Sequence, residues 1–195
     1  TSYDYDELGR LKHVTVTKLN TVTTNLVTTY AYTDVGSRES VEMANGTRIT
    51  YEYNNLNRLT KVQNLTGSTL LSSYEYTLHT TGRRTGSTEI TRQDDTSYTT
   101  NSLTWNYDQM YRLTNEVSVT GTSTNIAAGY TYDLVGNRTS KTSLESGVTV
   151  SVASSYNASD QLTNDVSTLR VATTYTYDAN GNLTNQDVAS AVPRG

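Results

Sequence analysis

The sequence predicts an all-β protein built from antiparallel β-hairpin repeats, with about 15 or 16 strands in total. Two observations carry this prediction. An aromatic pair followed by a turn recurs along all 195 residues. The composition is also rich in Thr, Val and Tyr, which favour pleated sheets. Because a recurrence of roughly 20–50 residues is typical of repeat arrays, we expect one array over residues 1–195.

Eight copies of the aromatic pair can be counted, although the seventh has Ser154 in place of its first ring and the fifth begins with Trp105. The pairs lie at 3-5, 30-32, 51-53, 74-76, 105-107, 130-132, 154-156 and 175-177. Counted at the second position, successive copies are 27, 21, 23, 31, 25, 24 and 21 residues apart. Each interval is long enough for two strands and two turns, so each copy predicts one hairpin.

The first copy shows how a hairpin forms. Tyr-x-Tyr places both rings on one face of a strand, because side chains alternate. Asp-x-x-Gly then favours a type I turn whose Gly has positive φ, closed by a bulge. This register predicts Asp6 opposite Arg10, Tyr5 opposite Leu11, and Tyr3 opposite His13. The structural motif comprises Tyr5, Asp6, Gly9, Arg10, Tyr32, Gly36, Tyr53, Tyr76, Gly82, Tyr107, Asp108, Tyr132, Asp133, Gly136, Tyr177, Asp178 and Gly181.

Some copies depart from the motif at the Gly position. Asn57 and Asp160 tolerate the left-handed region, whereas Tyr111 predicts a turn of a different shape. In the fourth copy, two additional residues are expected to lengthen the loop. Reversals between copies are indicated by Asn45-Gly46, Thr66-Gly67-Ser68, Asp94-Asp95, Gly121 and Ser146-Gly147.

The rings are expected to form the core of the sheet. Tyr53 and Tyr132 should be largely buried, and the pairs of successive copies should lie in neighbouring strands on one face. Where Arg replaces Leu opposite a ring, a guanidinium over the ring is expected, as for Arg38 on Tyr32 and Arg138 on Tyr132. Rings exposed for sugar stacking are the alternative.

The motif Tyr-Asp-x-x-Gly-Arg/Asn-Leu resembles the YD repeat of the Rhs family. The best matches start at Tyr5, Tyr132 and Tyr177, and copies cover nearly the whole chain. The resemblance implies a curved or spiralling sheet, which in bacterial Rhs and insecticidal toxin-complex proteins forms a shell around a toxin domain. In teneurins, a similar shell belongs to a cell-surface adhesion protein. The family's Asp-Pro-x-Gly-Leu autoproteolysis motif does not occur in this sequence.

Several function classes have little support. The net charge of −4 comes from 15 basic and 19 acidic residues without a basic stripe, which argues against nucleic-acid binding. Cysteine is absent, and no apolar run is long enough for a membrane-spanning helix. Asp178-Ala179-Asn180-Gly181-Asn182 resembles the opening of a calcium loop but has Ala189 at position twelve. With only His13 and His79 as histidines, no metal, cofactor or catalytic residue is predicted.

The function predicted is a non-enzymatic wall segment of an Rhs-type encapsulating shell. An extracellular adhesion or carbohydrate-binding array is the alternative. By resemblance, the location is secreted or at the cell surface, and partners are other parts of the repeat array, an enclosed toxin domain or a surface glycan. Residue 3 already lies in a repeat, and Pro193 is the single proline, so neither end suggests a cap. We therefore expect copies of the isolated chain to pair end to end or aggregate.

Overall fold

The computed structural model describes residues 1–20, 22–145, 147–169 and 171–189, and sixteen β-strands account for most of them. The strands are β1 (Ser2–Tyr5), β2 (Leu11–Leu19), β3 (Val22–Tyr32), β4 (Arg38–Glu42), β5 (Thr47–Tyr53), β6 (Leu59–Thr66), β7 (Thr69–Leu78), β8 (Arg84–Arg92), β9 (Tyr98–Tyr107), β10 (Leu113–Thr120), β11 (Ser123–Tyr132), β12 (Arg138–Glu145), β13 (Val148–Tyr156), β14 (Leu162–Ser167), β15 (Thr173–Tyr177) and β16 (Leu183–Val188). None of the described residues forms a helix long and apolar enough to cross a membrane.

The strand order in the sheet follows the order of the chain, from β1 to β16. The chain divides into two compact units, Thr1–Leu103 and Thr104–Gly195, which we call unit 1 and unit 2. Within unit 1, each strand from β1 to β8 pairs antiparallel with the next. Within unit 2, the same holds from β10 to β16. The predicted all-β hairpin fold is therefore confirmed.

Except in the fourth copy, where β7 ends at Leu78, each aromatic pair ends an odd-numbered strand, and the even-numbered strand returns from the turn. Tyr5 lies opposite Leu11, as predicted, and a bulge follows immediately. The equivalent position has the same register and bulge in five other copies with a ring there. The prediction for Tyr3 was wrong: it lies opposite Val14, and Asp4 lies opposite His13. The bulge adds one residue to the return strand, which shifts every later pair by one.

The prediction that successive aromatic pairs lie in neighbouring strands was wrong. Tyr30 and Tyr32 are in β3, while Tyr51 and Tyr53 are in β5, with β4 between them. The reason is that each hairpin contributes its own return strand before the next aromatic pair. Strands bearing rings therefore alternate with strands bearing the residues opposite them.

The apolar interior is small. Among the described residues, only Val41, Ala128 and Val150 are buried hydrophobic side chains. Tyr53 and Tyr132 are half-buried rather than largely buried, which corrects the prediction. Their hydroxyls reach the neighbouring strand, so each ring covers part of its own sheet instead of entering a deep core.

Turns at the opposite ends of the hairpins lie where the sequence indicated. Gly46 donates its N–H to Met43 O, and Gly67-Ser68 links Thr66 to Thr69. Asp94-Asp95 joins β8 to β9, and Gly121 lies between β10 and β11. The turn predicted at Ser146-Gly147 includes Ser146, which is outside the described residues, as is Pro193.

Candidate functional site: the turn edge of the repeats

The functional candidate is the set of eight turns that follow the second ring position; we call it the turn edge. The turns begin at Asp6, Thr33, Asn54, His79, Asp108, Asp133, Asn157 and Asp178. In every one, the N–H of the first residue donates to the carbonyl of the residue four positions later, at 2.8–3.0 Å. This bond closes the bulged three-residue loop predicted for the first copy.

The side chain of the first turn residue holds the loop backbone. Asp6 Oδ1 accepts the N–H groups of Leu8 and Arg10 at 3.0 and 2.9 Å. The other oxygen, Asp6 Oδ2, accepts Arg10 Nε at 2.7 Å. Asp108 makes the same three bonds with Met110 and Arg112. The Asp-Arg pairing predicted at the turn mouth is thus confirmed as a bidentate side-chain and backbone clamp.

These bonds favour the ionised carboxylates. The Arg10 and Arg112 backbone N–H groups are the main causes that lower the pKa of Asp6 and Asp108. The Asn182 side chain does so for the pKa of Asp178. The pKa of Asp133 is also lowered: desolvation opposes the change, and the Asn137 backbone N–H leads the hydrogen bonds that outweigh it.

The fourth turn position is left-handed in all eight turns, as predicted for its glycines. φ is 75°, 86°, 110° and 86° at Gly9, Gly36, Gly136 and Gly181. The prediction that Tyr111 gives a turn of another shape was wrong, because its φ is 66° and its N–H donates to Asp108 O at 3.0 Å. The turn therefore tolerates the strain of a bulky residue, since the clamp from Asp108 fixes its shape.

The fourth copy also corrects the sequence interpretation. His79 N–H donates to Arg83 O, and Gly82 N–H donates to His79 O, so the loop has the ordinary length. The two additional residues lengthen the strands, and Leu78 occupies the second ring position opposite Arg84. Tyr76 is therefore at the first ring position, where the guanidinium of Arg84 lies 3.6 Å from the centre of its ring.

Five tyrosine hydroxyls each join a repeat to the one before it. Each donates to the carbonyl of the residue that begins the previous return strand, at 2.7–3.0 Å. The donor and acceptor pairs are Tyr32 to Leu11, Tyr53 to Arg38, Tyr132 to Leu113, Tyr156 to Arg138 and Tyr177 to Leu162. The second ring of these copies therefore contributes a hydrogen bond from its hydroxyl as well as apolar area.

The turns are also bonded to one another. Arg58 Nη1 donates to Thr80 O at 2.7 Å, and Arg112 Nη1 donates to Asp133 O at 2.8 Å. Asn137 Nδ2 reaches Asp160 Oδ1 at 2.8 Å. In each case, the residue just after the left-handed position of one turn donates a hydrogen bond to the next turn. The three bonds therefore run in the same direction along the sequence.

Guanidinium groups cover rings of the following copy. Arg10 lies 4.6 Å from the ring centre of Tyr32, and Arg112 lies 4.8 Å from that of Tyr132. We had expected Arg38 on Tyr32; instead, Arg38 lies 5.8 and 5.9 Å from the ring centres of Tyr30 and Tyr51. Arg38, which is opposite Tyr32, therefore lies beside the first rings of its own copy and the next, whereas the turn arginine Arg10 of the previous copy lies over Tyr32.

The third turn position is exposed and often apolar. Leu8, Val35, Leu56, Met110 and Val135 occupy it, with 61–75% of their surface exposed. A type I turn has no need of an apolar side chain there. We call these five side chains the turn tips. Their exposure shows that they contribute little to the stability of the hairpins themselves.

Among the described residues, no three His, Asp or Glu side chains converge in a way that could hold a metal ion. Asp178 accepts Asn180 N–H, Asn182 N–H and Asn182 Nδ2, which is the bonding of a turn. His79 Nδ1 contacts Thr81, and His13 Nδ1 pairs with Asp4 at 2.9 Å. Within the first turn, the motif residues Asp6 and Arg10 contact each other, whereas the hydroxyl and turn-to-turn bonds were missed. The turn-to-turn bonds could have been predicted from the recurrence of Arg or Asn directly after the left-handed residue of the turn.

Comparison with known proteins shows the fold. No protein-family model and no curated protein matches the chain. Among solved structures, the Photorhabdus luminescens Tc holotoxin pore with the TccC3 D651A mutation matches with a TM-score of 0.64 and 13% identity over 98% of this chain. The TcdB2-TccC3 crystal structure matches with a TM-score of 0.68 and 15% identity over 96%. The chain spans only 12% and 11% of those chains. The resemblance to YD-repeat toxin-complex proteins is therefore confirmed at the level of the fold.

Proposed function

We propose that this chain is a non-enzymatic wall segment of an Rhs-type encapsulating shell, outside the cell, with a toxin or other cargo enclosed by the complete array. The observation that carries the proposal is the forward bonding of each repeat to the next. Tyrosine hydroxyls and turn arginines bond across repeats at the same positions in both units. Such a chain can be lengthened by adding repeats without changing any contact.

The similar solved structures support this function. Both are Tc toxin assemblies that contain TccC3, and both share the fold over nearly the whole of this chain. Because this chain matches about a tenth of their length, its contribution in a shell would be local. It would extend the wall, while closure and the cargo would depend on other parts of the array.

The alternative of a carbohydrate-binding or adhesion array has less support. Sugar stacking requires an open ring face. The rings of Tyr32, Tyr76 and Tyr132 are covered by the guanidinium groups of Arg10, Arg84 and Arg112. Those ring faces are already engaged in cation–π contacts, so the aromatic rows serve the sheet itself.

A labelling experiment tests the wall function. The chain has no cysteine, so single cysteines can be placed on the two faces of the sheet. Val148 and Thr149 are adjacent in β13, both exposed, and their side chains point to opposite faces because strand side chains alternate. V148C and T149C would be made in the natural polypeptide that contains this segment and in the isolated chain.

A wall predicts that one of the two cysteines in the natural polypeptide reacts with a small maleimide but not with a polyethylene-glycol maleimide. In the isolated chain, both cysteines should react with both reagents, which controls for local accessibility. Equal reaction of both cysteines with the large reagent in the natural polypeptide would contradict enclosure.

A further inference from the structure

Two hairpin loops of the chain have nearly the same sequence and the same backbone. Residues 43–47, which connect β4 and β5, read Met-Ala-Asn-Gly-Thr, and residues 178–182, which connect β15 and β16, read Asp-Ala-Asn-Gly-Asn. In both loops, the N–H of the first residue donates to the carbonyl of the fifth, at 2.8 and 3.0 Å. The glycine at the fourth position has φ of 82° and 86°. The loops therefore differ only in their first and fifth residues.

The first residue decides what the N–H of the fifth residue binds. In the second loop, Asp178 Oδ1 accepts the Asn182 N–H at 2.8 Å. Met43 has no side-chain oxygen, and the Thr47 N–H donates instead to Asn45 Oδ1 at 3.0 Å. The side chain of Asn45 is therefore held against the backbone of its own loop.

An Asn-Gly sequence allows the asparagine side chain to react with its own backbone, because glycine has no side chain to obstruct the approach. The glycine nitrogen loses its proton and bonds to Cγ of the asparagine, and the side-chain nitrogen Nδ2 leaves as ammonia. One water molecule then opens the resulting imide ring to aspartate or isoaspartate. The reaction consumes water alone and needs no cofactor.

The hydrogen bonds of the first loop favour this attack. Negative charge develops on Asn45 Oδ1 as the Gly46 nitrogen approaches Cγ. The Thr47 N–H already donates to that oxygen, so it stabilises the developing charge. The Gly46 N–H itself donates to the carbonyl of Met43 at 2.9 Å, and the Met43 side chain carries no charge that would oppose loss of the proton.

The second loop opposes the same attack. The pKa of Asp178 is lowered chiefly by the Asn182 side chain and, to a smaller extent, by the Gly181 N–H. A carboxylate beside the Gly181 nitrogen disfavours loss of the proton from that nitrogen. Because the Asn182 N–H is bound to Asp178, it does not stabilise charge on Asn180.

We propose that Asn45 is a site of spontaneous deamidation in the folded chain and that Asn180, in the similar loop, is protected. Both asparagines are exposed, so the difference comes from the bonds of the loops and not from access to water. The inference goes beyond the proposed function and does not depend on it. Isoaspartate at this position adds one atom to the main chain of the loop, which should weaken the three residue pairs between β4 and β5.

Mass spectrometry of peptides from the incubated full chain tests the proposal, because it distinguishes asparagine, aspartate and isoaspartate at each position. At mildly alkaline pH, Asn45 should react about tenfold faster than Asn180, the rate effect of one hydrogen bond. In concentrated urea, where neither loop is folded, the two asparagines should react at the same rate.

Exchanging the first residues of the loops tests the cause. Met43→Asp supplies a competing acceptor for the Thr47 N–H and should slow the reaction of Asn45 about tenfold, whereas Met43→Leu is the control and should leave it unchanged. Asp178→Met should accelerate the reaction of Asn180, and it provides the test should Met43→Asp disturb the fold.

Amide hydrogen exchange shows whether each variant is folded. Two results would overturn the proposal. One is a reaction of Asn180 in the folded chain that is as fast as that of Asn45, or faster. The other is a set of rates that neither Met43→Asp nor Asp178→Met changes.

Discussion

The two units place different chemistry at the first ring position on the same backbone scaffold. In unit 1, the residues opposite Tyr3, Tyr30 and Tyr51 are valines, namely Val14, Val41 and Val62. The fourth copy departs from this, because Tyr76 lies opposite Ser87. In unit 2, Tyr130 lies opposite Lys141, Ser154 opposite Asp165, and Tyr175 opposite Gln186. The turn hydrogen bonds are alike in both units, and the second ring position holds a tyrosine in both except at Leu78 in unit 1. The hairpin is therefore specified by the turn and the hydroxyl contact, and the first ring position can change.

Polar pairs in unit 2 are satisfied by one another. Ser154 Oγ donates to Asp165 Oδ1 at 2.6 Å, and the Tyr175 hydroxyl donates to Asp165 Oδ2 at 3.4 Å. Among the described residues, β14 and β15 share two residue pairs, whereas β5 and β6 share seven. We infer that strand pairing within unit 2 is weakest between β14 and β15.

A polar side chain opposite the first ring in unit 1, or an apolar side chain there in unit 2, should have the largest effect on the free energy of unfolding. Val41 is 5% exposed, so Val41→Asp buries a carboxyl without donors and should cost about 3–5 kcal/mol of unfolding free energy. Asp165→Val removes one acceptor from two partly exposed hydroxyls and should cost about 1 kcal/mol. Urea unfolding of both variants measures the asymmetry. Equal costs would show that the first ring position is not more deeply packed in unit 1.

The second ring position should behave alike in both units. Tyr53 is half-buried, so Tyr53→Ala should cost about 2–3 kcal/mol, less than the 3–5 typical of a fully buried aromatic. Tyr53→Phe should cost about 1 kcal/mol through its lost bond to Arg38 O.

Tyr132→Phe in unit 2 should match this value, because its bond to Leu113 O is equivalent. Tyr5→Phe is the control and should leave the stability of the monomer unchanged. A large difference between Tyr53→Phe and Tyr132→Phe in thermal or urea unfolding would contradict the equivalence.

Glycine variants compare the turns. Gly136 has φ of 110° with open space around it, so Gly136→Val and Gly136→Ala should each cost about 1–2 kcal/mol from backbone strain alone. At Gly82, a new Cβ would also lie 2.9 Å from Arg58 Nε. Gly82→Ala should therefore cost more than Gly136→Ala in urea unfolding. The reverse order would mean that Arg58 moves away without loss.

Acid should weaken the turn edge of unit 2 more than the turn edge of unit 1. The pKa values of Asp108, Asp133 and Asp178 in unit 2 turns are lowered, while Asp6 is the only first turn residue with a carboxylate in the described part of unit 1. A lowered folded-state pKa gives stability that is present above the unfolded pKa and is lost as pH falls through the folded value.

The loss should begin below about pH 5 and continue below 3.8, the usual aspartate pKa. Amide hydrogen exchange at pH 6 and pH 3 would measure it separately for each unit. Asp133→Asn should make that turn insensitive to acid, as the Asn54 turn already is by composition. Asp94 lies in a reversal of unit 1 between β8 and β9, and the Ser97 side chain lowers its pKa to about 2, so its loss requires stronger acid.

Turn tips should show the smallest effect. Leu8→Ser and Val135→Ser change side chains that are 75% and 72% exposed. Each should change the unfolding free energy by no more than about 0.5 kcal/mol in either unit. A larger loss in a urea titration would reveal a tip contact within the isolated chain.

Prediction from sequence succeeded where local rules decide the structure. The turn starting at Asp6 follows from an Asp, a Gly and alternation of side chains, and its register follows from the turn. The prediction failed at Tyr111, because a bulky residue disfavours the left-handed backbone conformation. The hydrogen bonds that Asp108 accepts hold the turn in that conformation nonetheless. Tyr3 was misplaced because a bulge moves a register by one residue without altering the pattern of residue types.

The hairpin repeats, their number and their turn residues were determined by the sequence itself, because a bulged turn involves only residues within five positions of each other. Which carbonyl each tyrosine hydroxyl reaches was decided by the tertiary structure. Tyr32 and Leu11 are 21 positions apart, and their meeting depends on the length of β2 and β3 and on the bulge between hairpins. The tertiary structure also decided the half-burial of the rings, because the buried area of a side chain depends on the strand that lies beside it.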